Sequence, residues 1–437
     1  MDLRSRLRSI VNAEHKPARE LTYEPDTGRY EATIEPRRVG EMLGGQPIET
    51  PFGSCLVIDR RYESNRRHGD VFIEDCQIQA ADSLRVLDPS LLVDPALGRT
   101  VFIDLETTGI SGGAGTVAFL VGCGYFDLGA FQVRQFLLTS YAAERALLAA
   151  VSDFFDDADL IVTYNGKTFD VPVMETRWMF HRMELPLEGV PHFDALHAAR
   201  RLWKSRVDGD APADADACCR LTTLERALFD VRRVGDVPGF EIPSRYFRFL
   251  RSGDPRPLEP VLEHNRLDLV SLAAVTARAA RLVIDGADAC PDGAQALGLG
   301  RVYERAGSFD RAEACYRKAG TADTLPIRGE ALYRLGLTCR RQRRFADAAE
   351  AWRAILAATE SRASRRWPQA AVLRQFAVEA LAIHHEHRDR DLHAARELAL
   401  FGLEEDSNAR KADGYRHRLA RLDRKIAKKE SAQLFWN

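Results

Sequence analysis

Lysine is scarce in this chain: eight lysines stand beside 54 arginines in 437 residues. Arginine suits two-pronged contacts to phosphate, but the same bias follows from genome composition and carries little weight alone. A positive excess is missing as well, since the formal net charge is −2. Proteins that coat nucleic acid without specificity usually carry a large positive excess. That class is disfavoured, whereas an enzyme with a local basic channel is not. No run of about 18 apolar residues occurs, so no membrane-spanning helix is expected. The opening MDLRSRLRSI lacks the apolar stretch of a secretory signal, and a cytoplasmic location is expected. The eight cysteines are Cys55, Cys76, Cys123, Cys218, Cys219, Cys290, Cys315 and Cys339, and none forms a Cys-x-x-Cys pair. Neither a zinc knuckle nor an iron–sulfur cluster is indicated; reduced, mostly buried thiols are expected.

What is present is enough apolar residue, 45% of the chain, for ordinary cores. The length predicts two or three domains. Residues 1–98 form a β-rich, partly irregular extension, with short runs such as Cys55–Ile58 and Val71–Ile73 between Gly and Pro. Arg60–Arg61 and Arg66–Arg67 read as parts of a solvated loop, with phosphate contact as the rival reading. Residues 99–285 alternate strand and helix patterns. Strands are predicted over Val101–Glu106, Thr116–Tyr125, Phe131–Leu138, Leu160–Tyr164 and His192–Leu196. Helices are predicted over Ala142–Phe155, Thr168–Met183 and Pro260–Ile284. This is an α/β layered domain with a mixed five-stranded sheet and flanking helices. Ser205–Ala217 is acidic and nearly without apolar residues, and reads as a mobile loop. The turn-rich Asp285–Gly293 marks a boundary.

Residues 294–437 contain a repeat. Leu299-Gly300, Phe309, Ala312 and Tyr316 recur as Leu335-Gly336, Phe345, Ala348 and Trp352, each 36 residues on. That period predicts an all-α, tetratricopeptide-like stack, with Leu392–Ala395 in a weaker third unit. Two unrelated helical hairpins are the plainer alternative. Such stacks present extended surfaces, so a protein partner is expected there.

Three short segments carry the chemistry. In Val101-Phe-Ile-Asp-Leu-Glu106, strand alternation puts Asp104 and Glu106 on one face and Val101, Ile103 and Leu105 on the other. Paired carboxylates repel unless a cation neutralises them, and magnesium or manganese favours all-oxygen ligands. Asn165-Gly-Lys-Thr-Phe-Asp170 places Asp170 in the first turn of a helix, where the helix dipole favours a carboxylate. His264-Asn-Arg-Leu-Asp268 puts His264 and Asp268 on one helical face. Each segment alone has an ordinary explanation, namely a chance pattern, a helix cap or a surface pair.

Together they resemble the DEDD 3′–5′ exonucleases of the ribonuclease H-like superfamily, in residue type and in order. The resemblance rests on Asp104-x-Glu106-Thr-Thr-Gly109, Asn165-x-x-x-Phe169-Asp170 and His264-x-x-x-Asp268. In the last, the spacing of one branch is combined with the histidine of another. A more detailed resemblance, over residues 40–285, is to YprB-type exonuclease domains. It is carried by Gly112-Gly-Ala-Gly-Thr116, Asn165–Pro172, Asp236-Val-Pro-Gly239 and His264–Asp268. The resemblance implies hydrolysis of phosphodiester bonds in DNA or RNA with two Mg2+ or Mn2+ ions about 3.5–4 Å apart. Asp104 would bridge the ions, Glu106 and Asp268 would hold the nucleophile-side ion, and Asp170 would support the other. His264 would orient or deprotonate water. Thr107, Asn165 and Phe169 are the expected substrate-binding residues. The rival function is a repeat-based scaffold whose nuclease domain is inactive.

Other motifs are weaker. Gly166-Lys167-Thr168 lacks the glycine five residues earlier that a nucleotide-binding loop needs. Gly112–Gly115 is either a plain turn or a close approach to phosphate. His192-x-Asp194-x-x-His197 reads as structural, with Asp194 a candidate support for the site. His384–His387 reads as a solvated helix end, and Arg340–Arg344 as a solvated loop between repeat helices.

Overall fold

The computed structural model describes residues 35–94, 96–109, 115–207, 219–360, 364, 367–405 and 409–434. Residues 112–114 of the glycine-rich turn, Cys218 and most of the acidic segment expected to be a mobile loop lie outside them.

Helix α1 (Pro36–Leu43) leads into strands β1 (Gln46–Thr50) and β2 (Gly53–Tyr62), then a short hairpin of β3 (Arg67–His68) and β4 (Val71–Phe72) and helix α2 (Ala81–Leu87). The central run follows: β5 (Thr100–Thr107), β6 (Ala118–Asp127), β7 (Ala130–Leu137), α3 (Glu144–Phe155), β8 (Leu160–Thr163), α4 (Asp170–Phe180) and β9 (His192–Asp194). Then come α5 (Ala195–Val207), α6 (Leu221–Phe229), α7 (Ile242–Ser252) and the long α8 (Glu259–Asp285).

The main sheet has seven strands in the order β1-β2-β7-β6-β5-β8-β9. The five-stranded expectation is corrected by two strands from the N-terminal extension. β2 pairs antiparallel with β7, from Leu56 opposite Leu137 to Tyr62 opposite Phe131, and β1 pairs with β2. The physical reason is edge coverage: β7 alone would leave a row of unpaired backbone groups. β5, β6 and β7 are antiparallel, whereas β8 and β9 run parallel to β5. A second correction concerns α5, α6 and α7, which the apolar spacing did not predict. α7 buries only Ile242, Tyr246 and Phe249, a narrow stripe, whereas α5 buries Leu196, Ala198, Ala199, Leu202 and Trp203 at a helical spacing that the sequence reading passed over.

The two faces of β5 behave as alternation requires. Val101, Ile103 and Leu105 enter a core with Leu147, Val151 and Tyr246. Phe102 points the other way, into a core with Leu269, Leu272 and Val275 of α8. Asp104 and Glu106 follow Phe102 on that second face, at the end of the strand where the chain turns. The β5–β6 register shifts between Glu106 and Thr107; such irregularities re-aim side chains at strand ends.

Beyond α8 lie helices α9 (Gly293–Arg305), α10 (Phe309–Ala319), α11 (Leu325–Arg341), α12 (Phe345–Thr359), α13 (Gln369–His384), α14 (Leu392–Glu405) and α15 (Ala409–Leu434). The 36-residue repeat corresponds to two helical hairpins that share one packing device. A Cβ on Gly300 would come within 2.5 Å of the Tyr316 ring, and one on Gly336 within 2.3 Å of Trp352. Small against large thus lets each pair approach closely. The stack rests directly on the α/β layer: a Cβ at Gly298 of α9 would lie 2.6 Å from the Arg201 carbonyl of α5. One continuous apolar cluster runs from Phe102 through Leu272 and Leu299 to Trp352. Among the described residues no helix is long and apolar enough to cross a membrane.

Candidate active site

The parallel strands β5 and β8 end side by side, and the loops after them carry carboxylates. Asp104 and Glu106 come from β5, and Asp170 is the first residue of α4. Helix α8 crosses the same face of the sheet and presents His264, Asn265 and Asp268. The carboxylates sense one another. Burial pushes the Asp104 carboxyl well above its usual range, and the charges of Asp268 and Asp170 push it further. Burial does the same to Glu106, reinforced by Asp104, Asp268, Asp170 and Asp236. Asp170 is raised to about 7, mainly by burial, with Asp194 and Asp268 adding to it against two backbone hydrogen bonds. The structure therefore brings Asp104, Glu106, Asp170 and Asp268 into one electrostatic unit.

Several members of the site escaped the sequence reading. Asn265 is fully buried and donates from Nδ2 to the Asp104 carboxylate at 2.8 Å and to its carbonyl at 3.1 Å. Gln135 of β7, also fully buried, donates to Asn265 Oδ1 at 2.8 Å. Room for this pair comes from Gly122, which faces Asp104 across the β5–β6 ladder. A Cβ there would lie 2.1 Å from Asn265 Oδ1. One signal was available: Asn265 interrupts the apolar stripe of Leu262, Leu269 and Leu272 on α8, and a polar residue there needs partners.

A second set surrounds His264. Its Nδ1 lies 2.7 Å from Asp236 Oδ1, and its Nε2 faces Asp268 Oδ2 at 3.4 Å. Burial raises the Asp236 carboxyl, but the hydrogen bond and charge of His264 and the charge of Arg233 outweigh it and hold it below its usual range. An ionised Asp236 must accept, so His264 Nδ1 donates to it. Arg233 meets the same two carboxylates, at 3.3 Å to Asp236 Oδ2 and 2.5 Å to Asp268 Oδ1. Its Nε and Nη2 also bind Glu225 at 2.8 and 2.9 Å. Burial would lower the Arg233 pKa, but Asp268 and Glu225 more than offset it, so the guanidinium stays charged. Ser271 donates to Glu225 at 2.5 Å, and His68 Nε2 lies 2.9 Å from Ser271 Oγ. His68 thus reaches the site's outer edge from the N-terminal extension.

The remaining expected residues line the turns. Thr107 Oγ1 donates to the Gly109 carbonyl at 2.7 Å, which tightens the turn after β5. Asn165 has φ +68° and is exposed, and Phe169 is half-buried just before α4. Asp194 fixes that turn by accepting from the backbone of Asn165 at 2.8 Å and of Lys167 at 3.1 Å. His192 instead meets Thr163 Oγ1 at 2.8 Å and His197 is exposed, so these three do not converge. Lys167 pairs with Asp88 at 3.2 Å, not with a phosphate loop. Far away, Glu386 of the histidine-rich segment is buried and binds Arg418, Arg421 and Lys425 of α15. That segment is a structural ion cluster and not the expected solvated end.

Four carboxylates in mutual repulsion are the donor chemistry that a hard divalent cation fits. Among the described residues, no three acidic, histidine or cysteine side chains converge on an ion position as they stand. Asp268, turned toward Arg233, is the member with a competing partner.

Residues 101–280 match the RNase_H superfamily, whose members are generally nucleases. The uncharacterized protein YprB of Bacillus subtilis (strain 168) is 30% identical over 398 residues, covering 89% of this chain and 90% of its own. The family B DNA polymerase of the hyperthermophilic archaeon Pyrobaculum calidifontis overlaps 56% of this chain and 30% of its own, with 16% identity and a TM-score of 0.33. At that score the overlap says nothing more of this chain. The ribonuclease H-like domain and the near full-length similarity together show that the chain belongs to the ribonuclease H superfamily, in the family that includes YprB.

Proposed function

We propose that this protein is a metal-dependent 3′–5′ exonuclease of the DEDD type, acting on DNA or RNA. The observation that carries the reading is the electrostatic unit of Asp104, Glu106, Asp170 and Asp268 beside an Asp236-held His264. Asp104, Glu106, Asp170 and Asp268 would hold two Mg2+ or Mn2+ ions. Such ions supply Lewis acidity and neutralise the charge of the phosphodiester. The chain's own residues do the rest. Asp236 keeps the proton on His264 Nδ1, which leaves Nε2 free to take a proton from the attacking water. Asn265 holds the Asp104 carboxylate in one rotamer, and Gln135 holds Asn265. Thr107, Asn165 and Phe169, in the turns after β5 and before α4, would contact the substrate.

The wider reading assigns 1–98 as an extension, 99–285 as the nuclease domain and 294–437 as a tetratricopeptide-like domain that recruits a protein partner in the cytoplasm. The recurring Gly300–Tyr316 and Gly336–Trp352 contacts support the repeat assignment. The test is purified protein with end-labelled single- and double-stranded DNA and RNA, in Mg2+, Mn2+ or chelator. Stepwise, metal-dependent shortening from the 3′ end is expected. No cleavage of any substrate would refute the reading.

A further inference from the structure

Arg233 and His264 both bridge the same two carboxylates, Asp236 and Asp268, so that the four side chains close a ring. Arg233 is 5% exposed in its side chain and is held from behind by both oxygens of Glu225, which is itself 2% exposed. A guanidinium fixed in this way is a directed charge with a planar fork. It is aimed at Asp268, one of the four carboxylates that would ligate ions. Asp268 Oδ1 thus accepts from Arg233, while Oδ2 lies 3.4 Å from His264 Nε2.

We infer that Arg233 is an internal counter-cation of the carboxylate cluster, holding Asp268 until a divalent ion takes its place. The inference rests on the metal-dependent reading of the site. Its physical basis is competition. A charge-assisted hydrogen bond of 2.5 Å is strong, and an ion coming onto Asp268 must break or share it while approaching a fixed positive charge. A cavity of about 350 Å³ opens beside the fork, lined by Thr222, Glu225, Arg226, Arg232, Arg233 and Asp236.

The role differs from that of a catalytic residue, because Arg233 acts through Asp268. It separates into measurable parts. Without ions Arg233 screens the cluster, and when ions load it costs affinity. Glu225 sets the strength of the hold, since a buried arginine without its anchor would lose its orientation.

The experiment is calorimetric titration of Mn2+ into the full chain, without nucleic acid, paired with thermal unfolding in chelator and in saturating Mn2+. The variants are Arg233→Met with Glu225→Gln, which removes the buried pair together, Arg233→Lys, which keeps charge but loses the fork, and Asp104→Asn as a ligand control. The double variant should bind Mn2+ roughly tenfold more tightly, melt lower in chelator and gain more from Mn2+ than the wild type. Arg233→Lys should fall between the two. Circular dichroism establishes that each variant is folded. Equal or weaker Mn2+ binding by the folded double variant, with normal binding by the wild type, overturns the inference and leaves the nuclease reading standing. No Mn2+ binding by either, indistinguishable from Asp104→Asn, overturns both.

Discussion

Replacing Asp170 by asparagine should stabilise the ion-free protein, and the gain should grow with pH. Asp170 is 6% exposed, and its pKa is raised to about 7 from an ordinary 3.8. A raised carboxyl binds more protons in the folded chain than in the unfolded one. Its stability is therefore fully present below the unfolded pKa and is lost as pH rises through the folded value. Asparagine has nearly the same shape, cannot ionise and keeps a carbonyl for the backbone donors. Asp104 and Glu106 feel the Asp170 charge, so the difference between Asp170→Asn and wild type reports the Asp170 titration together with its coupling to them. From pH 5 to pH 8 the wild-type group crosses its folded pKa, two units above the starting point. Each unit is worth about 1.4 kcal/mol, so the variant's advantage should widen by about 3 kcal/mol.

Other groups titrate in the same window. Burial lowers His68 and His192 to about 4, and each contributes stability above its unfolded pKa that is lost as pH falls toward 4. Their effect opposes that of Asp170 in the total but is common to both proteins and cancels in the difference. The assay is urea unfolding followed by circular dichroism at pH 5, 6, 7 and 8 in chelator. Saturating Mn2+ should then invert the ranking, because only the wild type has its ligand. A difference that stays flat, or shrinks as pH rises, would refute the claim that Asp170 sits protonated in a carboxylate cluster.

Four further outcomes are expected. Asp104→Ala should leave no measurable cleavage and no tight Mn2+ site by calorimetry, with stability in chelator unchanged or higher. His264→Ala should lower turnover per folded molecule about 10²–10⁴-fold while Mn2+ binding persists; unchanged turnover removes it from the reaction. Asp236→Asn should lower turnover in the same direction but less, because the Nδ1–H then meets a neutral amide oxygen instead of a carboxylate while the base remains, and single-turnover kinetics measures this. Gly122→Ala should displace Asn265, costing about 1–3 kcal/mol through unsatisfied buried groups, and urea midpoints report it.

The five residues proposed to carry the chemistry could be placed from the sequence because each lies on an element that its own neighbours specify. Asp104 and Glu106 stand in a run whose alternation fixes the face. Asp170 opens a helix, and His264 and Asp268 share a helical turn. The supporting groups were illegible for a different reason. Arg233 lies in the loop between α6 and α7, where no periodicity states which side chain turns inward, and the Asp236-Val-Pro-Gly239 motif marks Asp236 without naming His264 as its partner. Glu225 is at helical spacing and reads as solvent-facing until its guanidinium partner is known. Gln135 shares its face of β7 with Phe131 and Val133, so alternation turns it inward, but nothing local names Asn265 and the Leu262 carbonyl of α8 as its partners. The sheet was undercounted on the same principle. The run Cys55–Ile58 reads as a strand, but its partner on β7 is some 75 residues away, as Asp59 and Arg134 show by pairing at 2.8 Å across the register. Local pattern names an element, and only long-range pairing names its neighbour.

The polar groups that were missed also explain how the fold tolerates its own site. Six carboxylates, Asp104, Glu106, Asp170, Glu225, Asp236 and Asp268, surround one arginine and one histidine. The backbone cannot relax them apart. β5 is hydrogen-bonded on both sides, by β6 and β8, and α8 is buried along most of its 27 residues. Three devices are left for lowering the repulsion: protonation, as at Asp170; neutral donors, as Asn265 gives Asp104; and the shared charge of Arg233. Each is reversible, and on the proposed metal-dependent reading a divalent cation would relieve the protonation of Asp170 and the hold of Arg233. A rigid scaffold that holds excess negative charge with reversible partners stores part of its folding stability as affinity for cations. The same substitutions that strengthen the ion-free chain should therefore weaken its hold on the ion, except at Arg233, where removing a cation should do the opposite on both counts.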